Sequence, residues 1–141
     1  MTVQLKGENM KKLILTLFLF FTSTSAIAKW IEVGQATNEK SVAYVDYTTI
    51  HKKGSKVTMW SMLDYKTIQS GTTGNFLSEI SLEEYDCINA QSRTLSIADY
   101  SENMQEGTVA YTNTFNPPDI WRPVIPNTIS EALWKSACGK K

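Results

Sequence analysis

The chain holds only two cysteines, Cys87 and Cys138, separated by fifty-one positions. Cys87 lies in the stretch Leu82–Ser96 between two strand-like segments, and Cys138 lies near the end of a C-terminal segment with helical spacing. A bond between them would tie a terminal helix to a sheet. Whether it forms depends on the compartment, because disulfides persist in oxidising surroundings and are rare in the cytosol.

The N-terminus speaks to that point. Lys11 and Lys12 precede the apolar run Leu13–Phe21, which is followed by small polar residues and an Ala26-Ile27-Ala28 ending. A basic lead, a short apolar core and a small-residue ending are the layout of a cleavable secretory signal. The run is also well short of the roughly 18–20 apolar residues that cross a bilayer as a helix. Residues 1–28 are therefore expected to be a secretory signal peptide, with translation starting at Met1 or Met10, and residues 29–141 to be the exported domain. No stable membrane span is expected after cleavage. Two cysteines in an exported chain are most simply read as one disulfide. A metal pair or a redox motif would call for close spacing such as Cys-x-x-Cys.

Removing residues 1–28 from the 141 leaves 113, enough for one domain with one core. The whole chain carries 14 basic and 14 acidic residues, and the leader takes Lys6, Lys11, Lys12 and Glu8. The balance is then 11 against 13, or −2, which gives no basis for nucleic-acid binding.

Along the domain, strands are expected at Lys29–Gly34, Val42–Asp46, Val57–Tyr65, Phe76–Cys87, Ser92–Ile97 and Thr108–Phe115, from β-forming residues and alternation. The segment His51–Ser55 reads as a hairpin turn, and Gln69–Asn75, with two glycines, as an exposed loop. Within the fourth strand, Ile80 and Leu82 share one parity while Tyr85 and Cys87 share the other, which predicts a bulge near Glu83 and Glu84. Ala98–Glu106 reads as a loop or one irregular turn. All four prolines fall within Asn116–Asn127, which argues against regular structure there. Thr128 and Glu131 form a capping-box pattern ahead of Ile129, Ala132, Leu133 and Ala137 at helical spacing, with Gly139 placed to stop the helix.

No nucleophile elbow, phosphate loop or zinc signature occurs, so no catalytic residue, metal ligand or cofactor is assigned. Glu83, Glu84 and Asp86 could mimic paired catalytic carboxylates. They read better as charges on a surface strand, with Asp86 and Arg93 expected to pair across a hairpin. His51 stands alone among residues suited to acid-base or metal chemistry. With Lys52, Lys53 and Lys56 it makes the one basic cluster, a candidate contact for an anionic partner. Trp121, set in the proline-rich segment, is a candidate anchor for a protein partner.

The order of these features resembles the surface-adhesin protein E family of small exported bacterial proteins. The resemblance rests on Trp30-Ile31, Tyr44-Val45-Asp46 followed by Ile50, Val57–Trp60, Tyr85-Asp86-Cys87, Arg93-Thr94, a tyrosine ahead of Gly107, and the Pro126–Cys138 segment. It implies an α+β fold: about six antiparallel strands with a C-terminal helix packed on one face and tied to the sheet by a disulfide. It implies a non-enzymatic domain displayed at the cell surface, with a protein partner and a homodimer as expected associations, whereas the Ala26-Ile27-Ala28 ending, without a lipid-accepting cysteine, makes the periplasm the other expected location. For the adhesin itself it implies binding of host matrix and serum glycoproteins such as vitronectin and laminin. The alternative is a periplasmic, envelope-associated structural protein with no host ligand.

Overall fold

The computed structural model describes residues 29–36 and 40–140. The expected signal peptide lies outside them, as does most of the polar run after Gly34.

Val42 and Tyr44 on one face and Ala43 and Val45 on the other make the second strand apolar on both sides, which suits an interior position. It is flanked on both sides. Strand β1 (Ile31–Gln35) pairs with β2 (Ser41–Val45), and β2 pairs with β4 (Lys56–Ser70). The antiparallel order continues through β5 (Asn75–Asp86), β6 (Gln91–Tyr100) and β7 (Val109–Thr114). Two short strands lie off this path: β3 (His51–Lys53) pairs with β4, and β8 (Arg122–Pro123) pairs with β6. The one α-helix of the described residues, α1 (Ile129–Cys138), packs across β1, β2, β4 and β5.

The core lies between α1 and that half of the sheet. Val45, Val57, Met59, Tyr85 and Ala137 are buried together, with Val33, Ile50, Leu133 and Trp134 against them. Cys87 and Cys138 close the end of this core with a disulfide across a Cα–Cα distance of 5.6 Å. Beside it, Trp134 Nε1 donates to the Asp86 carbonyl at 2.9 Å. The helix ends where Gly139 turns to φ 65° and its N–H bonds the Lys135 carbonyl, the left-handed stop that glycine adopts without steric cost. The other sheet face is covered locally by the loop after β6. There Asp64 Oδ1 accepts from Met104 N at 2.7 Å, and Ser78 Oγ accepts from Gln105 N at 2.9 Å.

The structure departs from the sequence reading in several places. The hairpin turn is confined to Gly54 and Ser55, and His51–Lys53 is a strand, because its backbone pairs with Lys56–Thr58. The expected loop from Gln69 shrinks, since Gln69 and Ser70 pair with Phe76 and Asn75. Strand β6 runs three residues past Ile97 to Tyr100, paired on both sides. The bulge is present at Leu82/Glu83, but Ser96 pairs with Leu82 and Thr94 with Glu83, so the extra residue is Leu95 on β6. Strand β5 pairs in unbroken register with β4 from Ser78 to Asp86, and the register shifts only where β4 passes Asp64. Arg122–Pro123 forms a strand at an edge, where proline is tolerated. The capping box is incomplete: the Thr128 hydroxyl bonds the Ile125 carbonyl at 2.7 Å, while Glu131 accepts from Asn127 N at 2.9 Å.

Candidate binding surface

Strand alternation and the β3–β4 hairpin assemble the basic cluster. Lys53 sits opposite Lys56 and His51 opposite Thr58, whereas Lys52 sits opposite Val57, on the other parity. His51, Lys52, Lys53, Lys56, Thr58 and Glu84 line a shallow cleft of about 220 Å³. His51, Lys52 and Lys53 are exposed and form no ion pair among the described residues.

Lys56 is differently placed, because its ammonium is bonded to Asp86. Asp86 also accepts from the Ile88 and Asn89 amides at 3.0 Å each and from the Asn89 side chain at 2.8 Å. Lys56 and these donors hold its carboxyl well below the usual carboxylate range. Desolvation opposes them only weakly: the side chain is covered at close range but sits on the last residue of β5, at the end of the sheet. The next pair along the strand is Arg93 and Glu84, with Arg93 Nε at 2.7 Å from Glu84 Oε2. Asp86 and Arg93 therefore do not pair with each other, because Gln91, rather than Arg93, is the residue opposite Asp86.

Trp121 joins the two pairs. Lys56 Nζ and Arg93 Cζ each lie 4.5 Å from the centre of its ring, within cation–π range. The ring is half-buried against these cations rather than projecting freely. Lys53, Lys56 and Trp121 thus share one side of the sheet with Arg93, opposite α1. Among the described residues no group of three or more His, Cys, Asp or Glu is arranged to hold a metal, and no helix is long and apolar enough to cross a membrane.

The helix-bearing face has a second feature that the sequence reading missed. Glu79 and Glu83 point to this side but lie beyond the half that α1 covers, in a groove of about 380 Å³ between helix and sheet. Burial, with Asp99 and Glu83 nearby, pushes the Glu79 carboxyl up to about 7. Burial also raises Glu83, against a 2.8 Å bond from Thr94 and the charge of Arg122. Alternation separated Glu83 from Glu84 and Asp86, but it carried no signal for how far across the sheet the helix would reach.

A six-strand antiparallel path crossed on one face by a terminal helix, with a disulfide joining the two, defines a small disulfide-tied α+β domain. Within that class, the surface-adhesin protein E family model matches residues 30–139. The chain belongs to that family. Solved structures of Haemophilus influenzae protein E share the fold. One superposes with a TM-score of 0.57 at 13% identity, covering 82% of this chain and 88% of that one. A second crystal form gives 0.56 at 13% identity, covering 82% and 91%. The selenomethionine form gives 0.57 at 14% identity, covering 82% and 90%. No curated protein sequence matches the chain.

Proposed function

We propose that residues 29–141 are exported behind a cleaved leader and act without catalysis, as an adhesin-type domain that binds host matrix or serum proteins. Membership of the surface-adhesin protein E family over residues 30–139 carries this reading. The hairpin end that carries Lys53, Lys56 and Trp121 on one face and Lys52 on the other parity is its contact region. Lys52 and Lys53 offer exposed charge, and the ion-paired Lys56 and Arg93 hold the Trp121 ring in place, so docking would order few side chains.

A pull-down with the purified oxidised protein from host serum and matrix extract tests this, alongside protease treatment of intact cells. Capture of a host protein that is weakened several-fold by Lys52→Glu with Lys53→Glu, and loss of the protein from protease-treated intact cells, is the expected result. Full protection from protease with no capture would favour a periplasmic, envelope-associated protein without a host ligand. The Ala26-Ile27-Ala28 ending, with no cysteine nearby to accept lipid, is the observation on that side.

A further inference from the structure

The groove on the helix-bearing face has a composition unlike the basic hairpin on the other side. Its floor carries the Glu79 and Glu83 carboxyls with the Tyr85 hydroxyl, its walls are largely apolar, with Leu63 from β4 and Leu133 from α1, and Arg122 lines its rim. Asp99 stands directly opposite Glu79 on the neighbouring strand. One polar atom of the groove and one beside it are buried without a partner. The Tyr85 hydroxyl, on a residue 1% exposed, has no hydrogen bond, and neither does Asp99 Oδ1, on a residue 6% exposed. The Ser61 hydroxyl lies close enough to act on Tyr85 but outside hydrogen-bond geometry, and it meets the Ser81 hydroxyl at 3.2 Å. Buried polar atoms are nearly always satisfied, so an orphaned hydroxyl lining an acidic cavity points to a donor that arrives from outside.

We propose that this groove receives the side chain of a lysine or arginine from a basic segment of a partner protein. Such a side chain pairs an apolar stem with a cationic donor head, which matches apolar walls over a carboxylate floor. The carboxyls do not converge as a metal site would: no cluster of three or more ligating side chains exists among the described residues. The groove is independent of Lys53, Lys56 and Trp121, which lie on the opposite face, and of whether they bind a host protein.

The charged and titratable groups around the floor are few. Glu79 meets Asp99 from β6, Glu83 from its own strand and Tyr65 from β4. Glu83 meets Arg122 and Asp119 from the segment around β8. Arg122 is itself engaged with Asp119 at 2.5 Å. From α1 the groove is lined by Ile129, Ser130 and Leu133, none of them charged. A bound cation would favour the ionised form of Glu79, so binding should strengthen as pH rises through about 7.

The test is a titration of the purified, oxidised, isotope-labelled protein with acetyl-tetralysine amide, followed by carboxyl and amide NMR shifts. Calcium chloride, spermine and acetyl-tetraglutamine amide are the comparison titrants. The expected result is saturable shifts at Glu79, Glu83 and Tyr85 with the lysine peptide, and affinity several-fold higher at pH 8 than at pH 6. Glu79→Gln with Glu83→Gln should weaken binding by about tenfold or more, the scale of hydrogen bonds to a charged group. Tyr85→Phe should weaken it with the fold intact, whereas Glu106→Gln on the exposed surface should leave it unchanged. Lysine-peptide shifts that survive the double substitution, or that map to the other face, would overturn the proposal. So would tighter binding of calcium or spermine, or groove shifts that follow protein concentration without peptide, which would place a second copy there.

Discussion

At the scale of single residues, the local signals that were legible are those that depend on one side chain and its own backbone. Gly139 as a helix stop is one. Gly107, for which the sequence carried no such signal, is more tightly constrained: it sits at φ 77°, and a Cβ added there would fall 2.3 Å from Ser101 Oγ and 2.9 Å from Glu102 Cγ. The Ser101 hydroxyl cannot simply turn away, because it accepts from the Thr108 amide at 2.9 Å. Gly107→Ala should therefore lower unfolding free energy by about 2 kcal/mol, combining left-handed strain with the lost contact. Urea denaturation of the oxidised protein would show this as a lower midpoint with an unchanged slope. Pairing partners were less legible. An Asp86–Arg93 ion pair follows from both residues flanking one turn, yet the ladder sets Arg93 against Glu84 and leaves Asp86 to Lys56 from the next strand. Proximity in sequence does not reveal a third strand lying alongside.

At the scale of elements, the helix was legible because Ile129, Ala132, Leu133 and Ala137 recur at its period, whereas strand ends were not. Strand β4 continues to Ser70 through residues with little apolar content, because its backbone groups still find partners in β5. Alternation records burial, and a ladder can outlast burial. The bulge was signalled by a parity change in one strand, yet the extra residue belongs to the neighbour, since a register shift can be absorbed on either side of a pair. Helix α1 has about three turns and depends on its packing and on the Cys87–Cys138 bond, as a free helix of that length would be marginal. Replacing both cysteines by serine opens a loop spanning fifty-one positions and should cost roughly 4 kcal/mol on the chain-entropy account. Hydrogen exchange should locate the change: amides of Ile129–Cys138 lose protection first, while the central β4–β5 pairing keeps more of it. Uniform loss across helix and sheet would show instead that the bond stabilises only the whole fold.

At the scale of the molecule, the helix covers half of one face, and this asymmetry sets how stability responds to pH. On α1 and at the hairpin end, carboxyls are stabilised as anions: Glu131 by the Asn127 amide and Lys135, Asp86 by Lys56 and the turn amides. Their contribution is present above the unfolded carboxylate range near pH 4 and is lost as pH falls below it. Beyond the helix edge the sign reverses. Glu79, Glu83 and Asp99 are raised by burial, so over the mildly acidic range the native state binds more protons than the unfolded chain. Stability must then decline as pH rises from about 4.5 through about 7, where Glu79 ionises in the folded protein. For Glu79 alone the decline is at most about 3 kcal/mol, reduced by the partial exposure of its side chain. The urea midpoint should therefore peak near pH 5 and be lower at pH 8. Glu79→Gln, which removes the ionising group, should flatten the limb between pH 5 and pH 8 and leave the acid limb in place. A midpoint that is level or rising over that interval in the parent protein would mean that the groove carboxyls are solvated as ordinary surface acids, and the cation site built on them would lose its physical basis.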